Sequence, residues 1–121
     1  MYRNLNNMEK KWIEKLLDID FKERDILVKQ ILKAQVIYKK EYAFISLKFV
    51  GVNNEEKYPY QIRVPVEMRA YQDEGAPIVF LLHIINGLVN ELEIISADSS
   101  ELREEAINLN NVEYELNKEV M

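Results

Sequence analysis

Residues 62–95 read IRVPVEMRAYQDEGAPIVFLLHIINGLVNELEII, and the period of two running through this stretch decides the fold. Ile62, Val64, Val66, Met68 and Ala70 alternate with Arg63, Pro65, Glu67, Arg69 and Tyr71, the pattern of a strand with one buried face, expected to run from Tyr60 to Tyr71. Pro65 has no N–H for a ladder, so this strand is expected at an edge or irregular at that point. Gln72-Asp73-Glu74-Gly75 follows as a four-residue loop, and Asn86-Gly87 is the two-residue signal of a type I′ hairpin. Together the turns predict a register: Ile85 by Leu88, His83 by Asn90, Leu81 by Leu92 and Phe80 by Glu93, then Met68 by Val79, Val66 by Leu81 and Val64 by His83. One face therefore gathers Ile62, Val64, Val66, Met68, Val79, Leu81, Ile85, Leu88, Leu92 and Ile94, with only His83 and Asn90 polar, and is the expected core. The other presents Ile78, Phe80, Leu82 and Ile84 as an apolar ridge, flanked by Arg63, Glu67, Arg69 and Tyr71 and by Val89, Glu91, Glu93 and Ile95. A bare ridge of that composition calls for a cover. The candidate partner-binding residues are accordingly Arg63, Glu67, Arg69, Tyr71, Phe80, Leu82, Ile84, Glu91 and Glu93.

Outward from this stretch, the N-terminal side is helical. Asn6 and Glu9 form a capping box ahead of a stripe of Trp12, Ile13, Leu16 and Leu17. Asp20 and Glu23 repeat the box ahead of Ile26, Leu27, Ile31 and Leu32. From Gln35 the period shortens toward two, and Val36–Tyr38 with Tyr42–Val50 reads as a hairpin whose Ala43, Ile45, Leu47 and Phe49 share a face. Beyond Ile95, Asp98 and Glu101 open a short helix carrying Leu102, Ala106 and Ile107, followed by Val112 to Leu116, and this segment is one candidate to cover the ridge. The fold class is α+β. Two N-terminal helices, about 6–18 and 20–33, pack on one face of a mainly antiparallel sheet of about five strands over about 35–95, and an acidic segment, 96–121, completes a single domain of 1–121.

Charge is strongly asymmetric beneath a net −5. Residues 1–40 carry ten Lys or Arg against six acids, whereas 71–121 carry only Arg103 and Lys118 against eleven carboxylates. Such a C-terminal third repels phosphate backbones and attracts cationic protein surfaces, apart from its plain benefit to solubility. Nucleic acid is not an expected partner. The longest apolar run, Ala76–Ile85, is about half a bilayer crossing and holds Pro77 and His83, so no membrane span is expected and a cytoplasmic location is the default. Without cysteine, and with His83 as the lone histidine, thiolate sites, multi-histidine metal centres and cysteine nucleophiles are excluded. No metal ligands, cofactors or catalytic residues are expected. His83 reads as a core histidine facing Asn90. Glu91 and Glu93, on one strand face, read as a solvated or partner-facing row, since no cleft is evident that would separate their pKa values.

The chain also resembles a small bacterial family of unassigned function. The resemblance lies in Tyr2, Arg3 and Leu5, in Leu16, Leu17, Phe21 and Arg24, and in the closing run of Val64 to Glu67, Asp73 to Gly75, Pro77, Ile78, Leu81 to His83, Gly87 and Glu91 to Ile94. It covers roughly residues 2–98. Glu23 and Ser99 stand where the family pattern has glycine, so the second helix cap and the turn after the last strand are expected to differ locally. The resemblance implies a place beside polymorphic toxin genes, the setting of immunity proteins. The expectation is thus a non-enzymatic binding module that covers the active or substrate-binding surface of a basic toxin domain. The alternative is a homo-oligomeric regulatory or housekeeping binding domain, with a small enzyme least favoured.

Overall fold

Asn6 caps the first helix as its sequence requires. In the computed structural model, which describes residues 1–121, its side chain accepts from the Glu9 N–H at 2.8 Å, and the Glu9 carboxylate accepts from the Asn6 N–H at 3.0 Å. This box starts α1 (Asn7–Leu16), and α2 (Arg24–Lys33) follows. Arg3 explains why the opening of the chain is fixed. Its guanidinium donates to both Glu9 oxygens at 2.8 and 2.7 Å, its backbone bridges Val36, and it lies over the Tyr38 ring. Glu9 is fully buried, and its charge is tolerated because its carboxylate accepts from the Arg3 guanidinium and the Asn6 N–H.

The second helix departs from the expected box. Glu23 occupies the N-cap with no side-chain cap bond, at φ 60°, and Asp20 plays no part. Ser99, after the last long strand, sits at φ 64°. These are the two positions where the resemblance leads one to expect glycine, and both adopt a glycine-type conformation under other side chains. A left-handed residue with a Cβ costs about 1–2 kcal/mol, partly offset by the chain entropy that glycine adds to the unfolded state. Glu23→Gly and Ser99→Gly should each therefore raise stability by about 0.5–1 kcal/mol in urea denaturation, and a loss in both would refute the strain.

Six strands follow, one more than the sequence suggests: β1 (Gln35–Lys40), β2 (Phe44–Val50), β3 (Val66–Ala70), β4 (Ile78–Ile85), β5 (Leu88–Ser96) and β6 (Val112–Leu116). All pairs are antiparallel, in the order β1-β2-β5-β4-β3-β6. The expected Tyr60–Tyr71 strand contracts to β3, beginning just after Pro65. That strand is not at an edge, because β6 pairs with its outer side. The expected helix after Asp98 is only a turn of 3₁₀ helix at Glu104–Ala106.

The register differs from expectation at both turns. Asn86 and Gly87 adopt φ of 54° and 78°, as a type I′ turn demands, and Ile85 faces Leu88. One step further the ladder slips. Ile84 faces Val89 but His83 faces Glu91, leaving Asn90 as the extra residue of a bulge. At the other end Ala70 faces Ile78, so the connection takes in residues 71–77, with the Tyr71 N–H donated to Asn111 rather than into the hairpin. Each change moves β4 by one residue, which exchanges its two faces. Phe80, Leu82 and Ile84 are consequently 0%, 0% and 4% exposed and belong to the core, so the apolar ridge does not exist as expected. The Phe80 ring meets Trp12 of α1 at 6.3 Å between centroids. Val79, Leu81, His83 and Ile85 turn to the opposite face in their place.

One cluster of 27 buried apolar residues fills the space beneath the helices, from Trp12 and Leu27 to Met68, Ile94, Leu102 and Val120. The C-terminal segment contributes to this same side, with Leu102 fully buried and Ile107, Leu109 and Tyr114 packed on the cluster, so it does not cover the opposite sheet face. Burial first, and then its bond to Glu104, pushes the Tyr38 hydroxyl well above the ordinary phenol range, and burial raises Tyr114 as well.

Candidate functional site on the open sheet face

Alternation along six strands leaves a second face whose side chains lie outside the core. Its rows can be read across the ladder. Phe44, Ile95, Val79 and Arg69 form the first, Ser46, Glu93, Leu81 and Glu67 the second, and Lys48, Glu91 and His83 the third. Val79 is 9% exposed, yet it is the one buried apolar side chain outside the core cluster. Phe44, Leu81 and Ile95 are half-buried beside it, Ile37 and Ile85 are each 37% exposed, and no helix crosses them.

The candidate residues divide accordingly. Glu67, Arg69, Glu91 and Glu93 do share this face, and Arg63 reaches it through its bond to His83. Phe80, Leu82 and Ile84 lie on the other side of the sheet and leave the candidate set, while Tyr71 lies past the end of β3, half-buried in the connection to β4.

His83 also changes sides. It is not a core histidine opposite Asn90 but an outward residue opposite Glu91, with its side chain 15% exposed. The Arg63 Nε donates to His83 Nδ1 at 3.1 Å, and a guanidinium cannot accept, so the ring proton resides on Nε2 and is donated to Glu93 at 3.0 Å. Glu91 accepts from the Ser46 hydroxyl, and Glu67 from Arg69 at 3.0 Å. Both ring nitrogens are thus engaged, and Ser46 is bonded to a carboxylate rather than to the imidazole. The cluster is a polar lattice across β2, β5 and β4.

Sequence reasoning missed Val79, Leu81, Phe44 and Ser46 on this face. Their strand parity was available in the case of β2. For β4 it depended on the bulge at Asn90, which has no sequence signature beyond a polar residue in a strand.

One other feature is formed. A groove of about 730 Å³ lies between the helices, with Ile13, Leu17, Val28, Ile31 and the 79% exposed Leu32 along it. No group of three or more His, Asp or Glu side chains is placed to hold a metal ion, and no helix is long and apolar enough to cross a membrane.

The fold defined here, two helices with a six-stranded antiparallel sheet, is α+β. A family model described as "Domain of unknown function (DUF6984)" matches residues 2–106, and the chain belongs to that family. No curated protein and no solved structure matches it. Several residues behind the earlier resemblance have structural roles: Arg3 clamps Glu9, and Arg24 donates to the Ile19 carbonyl at 3.0 Å.

Proposed function

We propose that the protein is a non-enzymatic protein-binding module of the immunity-protein kind, whose open sheet face docks onto a basic toxin domain and covers its working surface. The observation that carries this reading is the apolar patch of Phe44, Leu81 and Ile95, half-buried around Val79 on the open sheet face and outside the core cluster. Interfaces need such a patch with a charged surround. Five carboxylates, Glu67, Glu91, Glu93, Glu113 and Glu115, surround its β5-to-β6 side against Arg63 and Arg69, which suits a cationic partner. The cytoplasm is the expected compartment for such an inhibitor.

Where a toxin gene lies beside this one, the test is titration calorimetry and residual activity with the C-terminal domain of that toxin. Wild type should bind and inhibit. Leu81→Asp combined with Glu93→Lys should weaken binding at least tenfold while urea denaturation shows the fold retained. Unchanged inhibition by that variant would remove the face from the interface, and failure of wild type to bind would reject the toxin. Self-association of wild type, abolished by Leu81→Asp, would instead favour the homo-oligomeric alternative. Turnover of a small substrate that disappears on changing His83 or Glu91 would return the protein to the enzymes.

A further inference from the structure

The two edges of the sheet are finished differently. At β1 the backbone of Arg3 bridges Val36, with N–H···O distances of 2.9 and 2.8 Å, so part of that edge is closed. At β6 nothing plays this part. The Tyr71 N–H donates to Asn111 and the Asn117 N–H to Pro65, at 2.9 and 3.0 Å, which fixes the phase of the β3–β6 ladder. Glu113 and Glu115 therefore turn their backbone groups inward to β3, and Val112, Tyr114 and Leu116 turn theirs to solvent. None of those three residues has a backbone hydrogen bond outside the strand, and the Tyr114 hydroxyl is occupied elsewhere, donating to Lys15. The result is an open row of three N–H and three C=O groups, of the kind proteins ordinarily blunt.

What blunts it is charge of one sign. Glu113 and Glu115 are exposed beside this edge, and Glu115 lies directly opposite Glu67 across the ladder, a like-charge pair relieved only by Arg69. A second copy fits poorly. Antiparallel pairing of two β6 strands about Tyr114 would set Glu113 of each against Glu115 of the other. A strand bearing cations at alternate positions meets the opposite situation, with Lys or Arg beside Glu113 and Glu115 on the open face and apolar residues beside Val112, Tyr114 and Leu116 on the other.

We propose that β6 is a docking edge for an extended basic segment of a partner protein, which adds as a seventh strand with alternating cationic and apolar residues. This goes beyond the open-face reading and rests on it only in that the partner is a protein. The probe is a capped Lys-Val-Lys-Val-Lys peptide, compared with the same peptide N-methylated at those residues whose N–H groups would face β6. Amide exchange followed by NMR should show new protection at Val112, Tyr114 and Leu116 and little change at Glu113 and Glu115. N-methylation should remove it although every charge remains. Glu113→Lys with Glu115→Lys, both exposed and so harmless to folding, should weaken the unmethylated peptide about tenfold and admit Glu-Val-Glu-Val-Glu instead. Equal binding of the methylated peptide, or shifts on the open face without new protection at β6, would overturn the proposal, as would pairing of β6 with β6 in the free protein. Because no toxin domain is involved, this result is separable from failure of the toxin titration.

Discussion

Replacing Gln30 by leucine should cost about 3–5 kcal/mol, nearly as much as deleting a large core side chain. Gln30 is fully buried in α2, and its carboxamide is used to the full. Nε2 donates to the Glu56 carbonyl at 2.8 Å and the Gly87 carbonyl at 2.9 Å, while Oε1 accepts from the Val89 N–H at 2.7 Å. One side chain thus ties the helix, the loop before Tyr58 and the β4–β5 turn together. The same carbonyl of Gly87 takes the Tyr58 N–H at 2.8 Å, and a Cβ on Gly87 would come within 2.8 Å of the Lys57 Cβ, so the two backbones are too close for water to replace the amide. Leucine leaves one buried donor without a partner and weakens two acceptors, each such group costing about 1–3 kcal/mol. Gln30→Glu is the sharper control. It can still accept from Val89 but cannot donate to either carbonyl unless protonated, so it too should be strongly destabilising at neutral pH. The measurement is the urea midpoint with the slope held constant, and a cost below about 1 kcal/mol for both variants would show that the junction is not held by this amide.

Gln30 also marks where sequence reading stops. The stripe Ile26, Leu27, Ile31 correctly gives the buried side of α2, but a polar residue within a helix reads as solvated, and Leu32 reads as core. The helix is in fact rotated so that Gln30 is buried and Leu32 is 79% exposed, because the polar backbone of the turn beneath requires an amide there. The elements themselves were legible. Capping chemistry located α1, alternation located β1, β2 and β3, and Asn86-Gly87 located its hairpin, because each is a local effect. The last strand was legible only as residues: Val112 to Leu116 has a strand's alternation, but nothing local says that it returns to pair with β3 rather than to cover a face. Faces, unlike elements, depend on register, and register in β4 is decided by a bulge and by a connection that lengthens to residues 71–77. For this reason Glu67, Arg69, Glu91 and Glu93 were assigned to the correct side, on strands whose parity is anchored by neighbours, whereas Phe80, Leu82, Ile84 and His83 were assigned to the wrong one.

That inversion makes a measurable difference, since β4 offers two adjacent apolar residues whose costs should diverge. Phe80→Ala is expected to lose about 3–5 kcal/mol, the range for an aromatic removed from a packed core. Phe80 is 0% exposed, flanked across the ladder by Met68 and Ile94, both also fully buried, and covered by Trp12. None of these neighbours has space to collapse into the void, because each is itself held in a strand or helix. Leu81→Ala, one position along, should cost about 1 kcal/mol, as Leu81 stands half-exposed between Glu67 and Glu93 and leaves no enclosed cavity. The pairing read from loop length alone demands the reverse order, with Leu81 in the core and Phe80 in solvent. Urea denaturation of the two alanine variants therefore decides the register of the central strand: a larger loss at Leu81 than at Phe80 would restore the ridge of Phe80, Leu82 and Ile84 and dismantle the open-face site. A larger loss at Phe80 leaves Leu81 free to serve the interface, and the chain can then change its partner-facing residues on β4 with little effect on the core, because strand alternation keeps the two sets on opposite sides of the sheet.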